Sequence, residues 1–270
     1  MLSDPIGASI MARPSRRTFL ALLATGAVGA LACGENDPLL QNPGGGDARL
    51  TSRPGTPATS SAPGSYLITA SNENDGTLFI PDSATSAPMP LVVALHGAGQ
   101  GATWGRTLLE PYARSRGFLL LSPGARGLTW DVFSSRFSYD VTFINSALAW
   151  TFAQRAVDAS RITLLGFSDG ATYALGLGAA NGDLFSRIVA CSPGFVARSS
   201  SPAVGKPKFF LSHGRQDQVL PIDGASRAIV PALRGQGYDV TYEEFDGGHG
   251  IPAAVLAKAL DWAGLPVLPV

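Results

Sequence analysis

The residue with the clearest chemical potential is Ser168, which sits in Gly166-Phe167-Ser168-Asp169-Gly170. A G-x-S-x-G pentapeptide is common, but its flanks here are specific. Apolar Ile162–Leu165 precedes it and the small-residue stretch Ala171–Ala180 follows. A serine on a tight turn from a buried strand into a helix is forced into strained backbone with its hydroxyl exposed, and flanking glycines let the two backbones approach. The competing reading is a glycine-rich turn carrying an incidental serine. A hydroxyl needs a base to become a nucleophile, and the chain holds only three histidines. His96 follows Leu91–Leu95, His213 follows Phe209–Leu211, and His249 lies in the loop Phe245–Gly250. In His213-Gly214-Arg215-Gln216-Asp217, Asp217 offers a carboxylate to orient the imidazole and stabilise the imidazolium. Asp223 and Asp246 are its rivals. Asp246 fits a loop cap beside His249, and Asp223 fits a turn or helix start. In His96-Gly97-Ala98-Gly99 the useful groups are in the backbone. The Ala98 and Asp169 amides are the candidate donors to a developing oxyanion, where one such donor is worth about 3 kcal/mol. His96 itself is read as structural support beneath this loop.

These groups need elements to hold them. Tyr66–Ala70 and Thr77–Ile80, separated by Asn72-Glu73-Asn74-Asp75-Gly76, read as a hairpin. Leu91–Leu95 is a continuous apolar run, the mark of a strand buried on both faces. Phe118–Leu121, Ile162–Leu165, Ile188–Ala190, Phe209–Leu211 and Val240–Tyr242 repeat that pattern, with helices expected near 104–115, 141–157, 169–180, 224–235 and 252–262. The alternation predicts an α/β fold with a mostly parallel central sheet, an antiparallel N-terminal hairpin and helices on both faces. In strand-to-helix elbow hydrolases the chain order is nucleophile, acid, base, and this order selects His249 as base. Asp217 is favoured as acid by its place in the loop after Phe209–Leu211, near the sheet edge where Ser168 and His249 emerge.

The motifs His96–Gly99, Val157–Ile162, Gly166–Ala171, His213–Pro221 and Gly248-His249 together resemble the phospholipase/carboxylesterase family of α/β hydrolases. They are also similar to the neighbouring poly(3-hydroxybutyrate) depolymerase and feruloyl-esterase-like group. The resemblance spans about 180 residues and implies a triad of Ser168, Asp217 and His249, with oxyanion amides from Ala98 and Asp169. Two features depart from it. Asp169 stands where many carboxylesterases have Gln or Ala; its side chain is expected to face solvent or help start the following helix. The segment Ser138–Ile144 looks more like the depolymerase and feruloyl group. Trp104 and Trp130, the latter in Gly127–Asp131, fall after strand ends and are candidates for the substrate pocket. Ordinary core or rim packing is the alternative for both.

The expected reaction is hydrolysis of small or medium neutral carboxylic esters through an acyl-enzyme. Polyester oligomers, feruloyl esters, thioesters and peptides are alternative substrates for the same machinery. A catalytically silent, tethered binding protein is the non-enzyme alternative. No cofactor and no metal is expected, since the histidines lack ligand spacing. Formal charge is zero, with 20 basic and 20 acidic residues; residues 1–32 hold three arginines and one aspartate, leaving −2 beyond them. That balance provides no electrostatic attraction for nucleic acid, and no obligate protein partner is evident. The basic stretch Arg13–Arg17 and the apolar run Thr18–Ala32 read as an export signal over residues 1–32 of twin-arginine type. Fifteen apolar residues are short of the ~20 that span a membrane. Leu31-Ala32-Cys33-Gly34 resembles a bacterial lipoprotein processing site, so Cys33 is the lipidation candidate and membrane attachment its consequence, with simple cleavage the alternative. The protein is then exported, to the periplasmic or extracellular side. Residues 33–64, rich in Pro, Gly and Ser, read as a disordered tether, and residues 65–270 as the catalytic domain.

Overall fold

The computed structural model describes residues 46–69, 76–133 and 136–269. The expected hairpin is present as β1 (Gly64–Ile68) and β2 (Gly76–Ile80), paired antiparallel. There follow β3 (Met89–Leu95), α1 (Thr103–Arg116), β4 (Leu119–Pro123), α2 (Tyr139–Gln154), β5 (Val157–Phe167) and α3 (Asp169–Ala180). The chain continues through β6 (Arg187–Cys191), β7 (Lys208–Gly214), α4 (Ser226–Gly235), β8 (Val240–Phe245) and α5 (Ala253–Trp262). The eight strands form one sheet in the order β1-β2-β4-β3-β5-β6-β7-β8, and every neighbour pair from β4 to β8 is parallel.

Strand pleating explains why these runs are apolar throughout. Leu91, Val93 and Leu95 of β3 enter one hydrophobic core, while Val92 and Ala94 enter the core on the other face. Leu119 and Leu121 of β4 join the first core and Leu120 the second. Parallel connections bring all carboxyl ends of β3, β5, β6, β7 and β8 to one edge, where the chemistry-bearing residues emerge. Helix α2 ends earlier than expected: its carboxyl cap, Arg155, is already extended, and β5 runs from Val157.

The tether reading fails for residues 46–64, which are bracketed onto the domain. Ala48 and Leu50 are buried. Asn181 accepts a hydrogen bond from Leu50 N at 2.8 Å and donates to Ala48 O at 2.7 Å. Arg49 and Arg53 both pair with Asp183, at 2.8 and 2.5 Å. Asn145 Oδ1 accepts from Thr51 N and Ser52 N, and the Thr59 and Ser61 amides donate to the Ala153 and Gln154 carbonyls. Polar brackets, with Ala48 and Leu50 as two apolar anchors in the core, hold this strap, and so short an apolar signal leaves no mark in the composition. The export-signal segment 1–32, Cys33 and most of the hairpin turn lie outside the described residues.

Candidate active site

The elbow between β5 and α3 has the strain its sequence implies. Ser168 has φ 55° and ψ −118°, a conformation that costs a non-glycine residue on the order of 1–3 kcal/mol. Two glycines permit it. A Cβ on Gly166 would lie 2.2 Å from Gly170 O, and one on Gly170 would lie 2.3 Å from Leu95 O. Backbone this close admits no side chain at either position. Ser168 N remains in the ladder, donating to Cys191 O at 2.9 Å, while Ser168 O already accepts from Ala171 N and Thr172 N. The serine is therefore the pivot where sheet bonding ends and helix bonding begins.

Ser168, His249 and Asp217 form one continuous hydrogen-bonded chain. Asp217 Oδ2 lies 2.7 Å from His249 Nδ1, and His249 Nε2 lies 2.9 Å from Ser168 Oγ. An ionised carboxylate can only accept, so Nδ1 carries the proton, and Nε2 is left to accept from the serine hydroxyl. Burial pushes Asp217 up, but hydrogen bonds from Leu220 N, His249 and Val219 N, with the attraction of His249, outweigh it and hold the carboxyl below its ordinary value. Three strand ends at one sheet edge thus supply the parts: β5 Ser168, β7 Asp217 and β8 the His249 imidazole, with β6 between the first two.

The other two histidines are supports. His96 Nε2 accepts from Ala125 N at 3.0 Å, and its Nδ1 donates to Gly97 O at 2.8 Å. Burial lowers its pKa, which keeps the ring neutral. His213 donates from Nε2 to Leu220 O at 2.8 Å, and its Nδ1 accepts from Ser226 Oγ at 2.8 Å. The same Nε2 lies 3.2 Å from Asp217 Oδ2. His213 therefore braces the acid loop, a role not read from the sequence, although its four-residue spacing from Asp217 could have indicated it.

Ala98 and Asp169 flank Ser168 from separate segments. A Cβ on Gly97 would lie 3.3 Å from Ser168 Cβ, so the β3–α1 loop passes directly beside Ser168. Asp169 is the first residue of α3, where the positive end of the helix favours negative charge. Its side chain does not face solvent. Asp169 is only 4% exposed, and its Oδ2 accepts from Thr129 Oγ1 at 2.6 Å. Burial raises its pKa, partly offset by Thr129 and by His249.

The two tryptophans separate. Trp104 is half-buried and stacks on Phe167 at 6.1 Å, and Phe167 in turn packs on the His249 ring at 5.0 Å. That aromatic row runs from the rim to the base. Trp130, by contrast, is fully buried between His96 and Tyr173 and donates from Nε1 to His96 O. It is a core residue beneath the site, and its assignment to the pocket is corrected. A cleft of about 340 Å³ along Arg106–Arg114 and a groove of about 300 Å³ beside Leu67, Phe143 and Trp150 contain no triad residue. Cys191, at the end of β6, is buried and unpaired, with its thiol pushed up to about 11 by burial.

This sheet order and strand-to-helix elbow are those of the α/β-hydrolase fold. Within it, residues 135–263, the segment holding Ser168, Asp217 and His249, match the phospholipase/carboxylesterase family. Among solved structures, the chain is similar to the esterase PE8, at 26% identity over 70% of this chain and 96% of that one, TM-score 0.54. It also resembles in fold an S-formylglutathione hydrolase from Staphylococcus aureus (14% identity, 76% and 98% covered, TM-score 0.58). An acetyl xylan esterase from Aspergillus awamori is similar at 16% identity, with 75% and 100% covered and TM-score 0.55. No curated protein sequence matches the chain. None of these findings separates out the depolymerase and feruloyl group.

Proposed function

We propose that the protein is a serine ester hydrolase that cleaves small or medium neutral carboxylic esters through an acyl-enzyme. The observation that carries this reading is the unbroken chain from Asp217 Oδ2 through His249 to Ser168 Oγ, at 2.7 and 2.9 Å. In this mechanism His249 Nε2 takes the Ser168 proton as Oγ attacks the ester carbonyl carbon. The resulting oxyanion is met by the Ala98 and Asp169 amides. His249 then returns the proton to the departing alcohol, leaving Ser168 acylated. Water, deprotonated by the same imidazole, releases the acid and restores the serine. A neutral, partly apolar substrate fits the surroundings: Trp104 and Phe167 line one side, Leu128 and Val219 are exposed on flanking loops, and a carboxyl lies beside the nucleophile.

The test is turnover of short-chain aryl esters by the full-length chain. Ser168→Ala is expected to lose about 10³- to 10⁶-fold in kcat, as for triad nucleophiles generally. Unchanged turnover would overturn the assignment. Comparing acyl lengths, and alkyl with feruloyl partners, ranks the ester classes. Export through residues 1–32 and lipid attachment at Cys33 complete the proposal, on the strength of Arg16-Arg17, the apolar run and Leu31–Gly34. Incorporation of a labelled lipid precursor, lost in Cys33→Ser, checks the attachment.

A further inference from the structure

Three consecutive residues after β4 tie together the two segments that carry the oxyanion amides. Leu128 O accepts from Gly99 N at 2.8 Å, next to Ala98. Thr129 Oγ1 donates to Asp169 Oδ2 at 2.6 Å, across 40 residues of sequence. Trp130 Nε1 donates to His96 O at 2.8 Å, at the root of the Ala98 loop. This bridge has its own clamp. Asp140 accepts from Arg126 N with Oδ1 and from Asp131 N with Oδ2, both at 2.6 Å, closing the loop at its base. Trp130 fills the space underneath.

An oxyanion site built from two separate segments works only if their amides stay within hydrogen-bond reach of one oxygen. Misplacement by about 1 Å can cost about 10²-fold in rate. We propose that Thr129 is a positioning residue for this site, locking the Asp169 carboxyl and with it the Ser168–Asp169 peptide against the loop that carries Ala98. The proposal rests on the ester-hydrolase reading. It explains why the carboxyl beside the nucleophile is turned inward rather than into solvent: its acceptor oxygen is the anchor point of the bridge. Thr129 spends its hydroxyl on Asp169 rather than on a triad residue.

The experiment compares Thr129→Val, which keeps the shape and removes the hydroxyl, with Thr129→Ser, which keeps the hydroxyl. Steady-state kinetics on a neutral aryl ester and thermal unfolding of the same full-length preparations are measured together. Thr129→Val is expected to lower kcat about 10- to 100-fold with KM within about threefold. Affinity for a boronic acid, whose tetrahedral adduct places an oxygen at the oxyanion position, should weaken in parallel. Thr129→Ser should recover most of both losses. If Thr129→Val does not fold, Thr129→Ala carries the same expectation. A kcat within twofold of the parent, or a loss that Thr129→Ser shares equally, would overturn the proposal. Retained turnover in Ser168→Ala would instead remove the ester-hydrolase reading, so the two failures are distinguishable.

Discussion

The turns that end β5 and β6 lie side by side at the same sheet edge, and each carries a serine with positive φ. Ser168 has φ 55° and Ser192 has φ 52°, and among the described residues they are the non-glycine positions in that region. Each amide extends the parallel ladder by one bond, Ser168 N to Cys191 O and Ser192 N to Ser212 O. Beyond that they diverge. The Ser168 carbonyl immediately accepts from α3, and its hydroxyl meets an imidazole. Ser192 leads into Pro193-Gly194 with no helix, is fully buried, and has only Gly250 O at 3.5 Å from its hydroxyl. Backbone strain alone therefore does not set a serine hydroxyl against a base. What differs at Ser168 is the helix start, the glycine contacts that allow it and the base.

This contrast can be broken by experiment. Ser192→Ala, which removes the second hydroxyl but keeps the backbone, should leave turnover within about threefold, against the loss of at least about 10³-fold expected for Ser168→Ala. Comparable losses would show that the two turns share the chemistry. Gly170→Ala tests the packing half of the contrast. Its methyl would meet Leu95 O at 2.3 Å and His96 O at 2.5 Å. Denaturant unfolding should show a loss of about 2–4 kcal/mol, a size reserved for overpacked or strained sites. A change below about 0.5 kcal/mol would mean that the elbow does not need that glycine.

A smaller effect tests the loop that supports the Ser168 side. Burial raises the Asp140 pKa from 3.8 to about 6, with bonds from the Arg126 and Asp131 amides working against it. The folded chain therefore keeps a proton that the unfolded chain releases between about pH 4 and 6. The associated stability is complete below pH 4 and is lost as pH rises through 6. At about 1.4 kcal/mol per pH unit, the loss is at most about 3 kcal/mol. Relative to Asp140→Asn, which carries no such titration, the parent's unfolding midpoint should fall between pH 4 and 7. A constant difference across that range would contradict this account.

Much of the site could be read from the sequence because its signals are local. The G-x-S-x-G glycines encode close backbone approach, and continuous apolar runs such as Leu91–Leu95 encode strands buried on both faces. With three histidines and a fixed chain order, His249 was easy to single out. What stayed hidden depends on partners distant in sequence. Asp169 turned inward because Thr129 waits 40 residues away. Trp130 is covered because the His96 and Tyr173 rings pack against it. The strap at 46–64 resembles linker in composition, yet Asn181, Asp183 and Asn145 hold it through its backbone and arginines. Single polar contacts of this kind leave no periodic trace.

The central claim is that Ser168 Oγ, activated by His249, attacks the substrate. The most direct measurement is fluorophosphonate labelling of the full-length chain, with the modified peptide mapped by mass spectrometry. One adduct on the peptide containing Ser168 is expected, absent in Ser168→Ala and strongly slowed in His249→Ala. No adduct on the parent chain, or an adduct that persists in Ser168→Ala, would contradict the account.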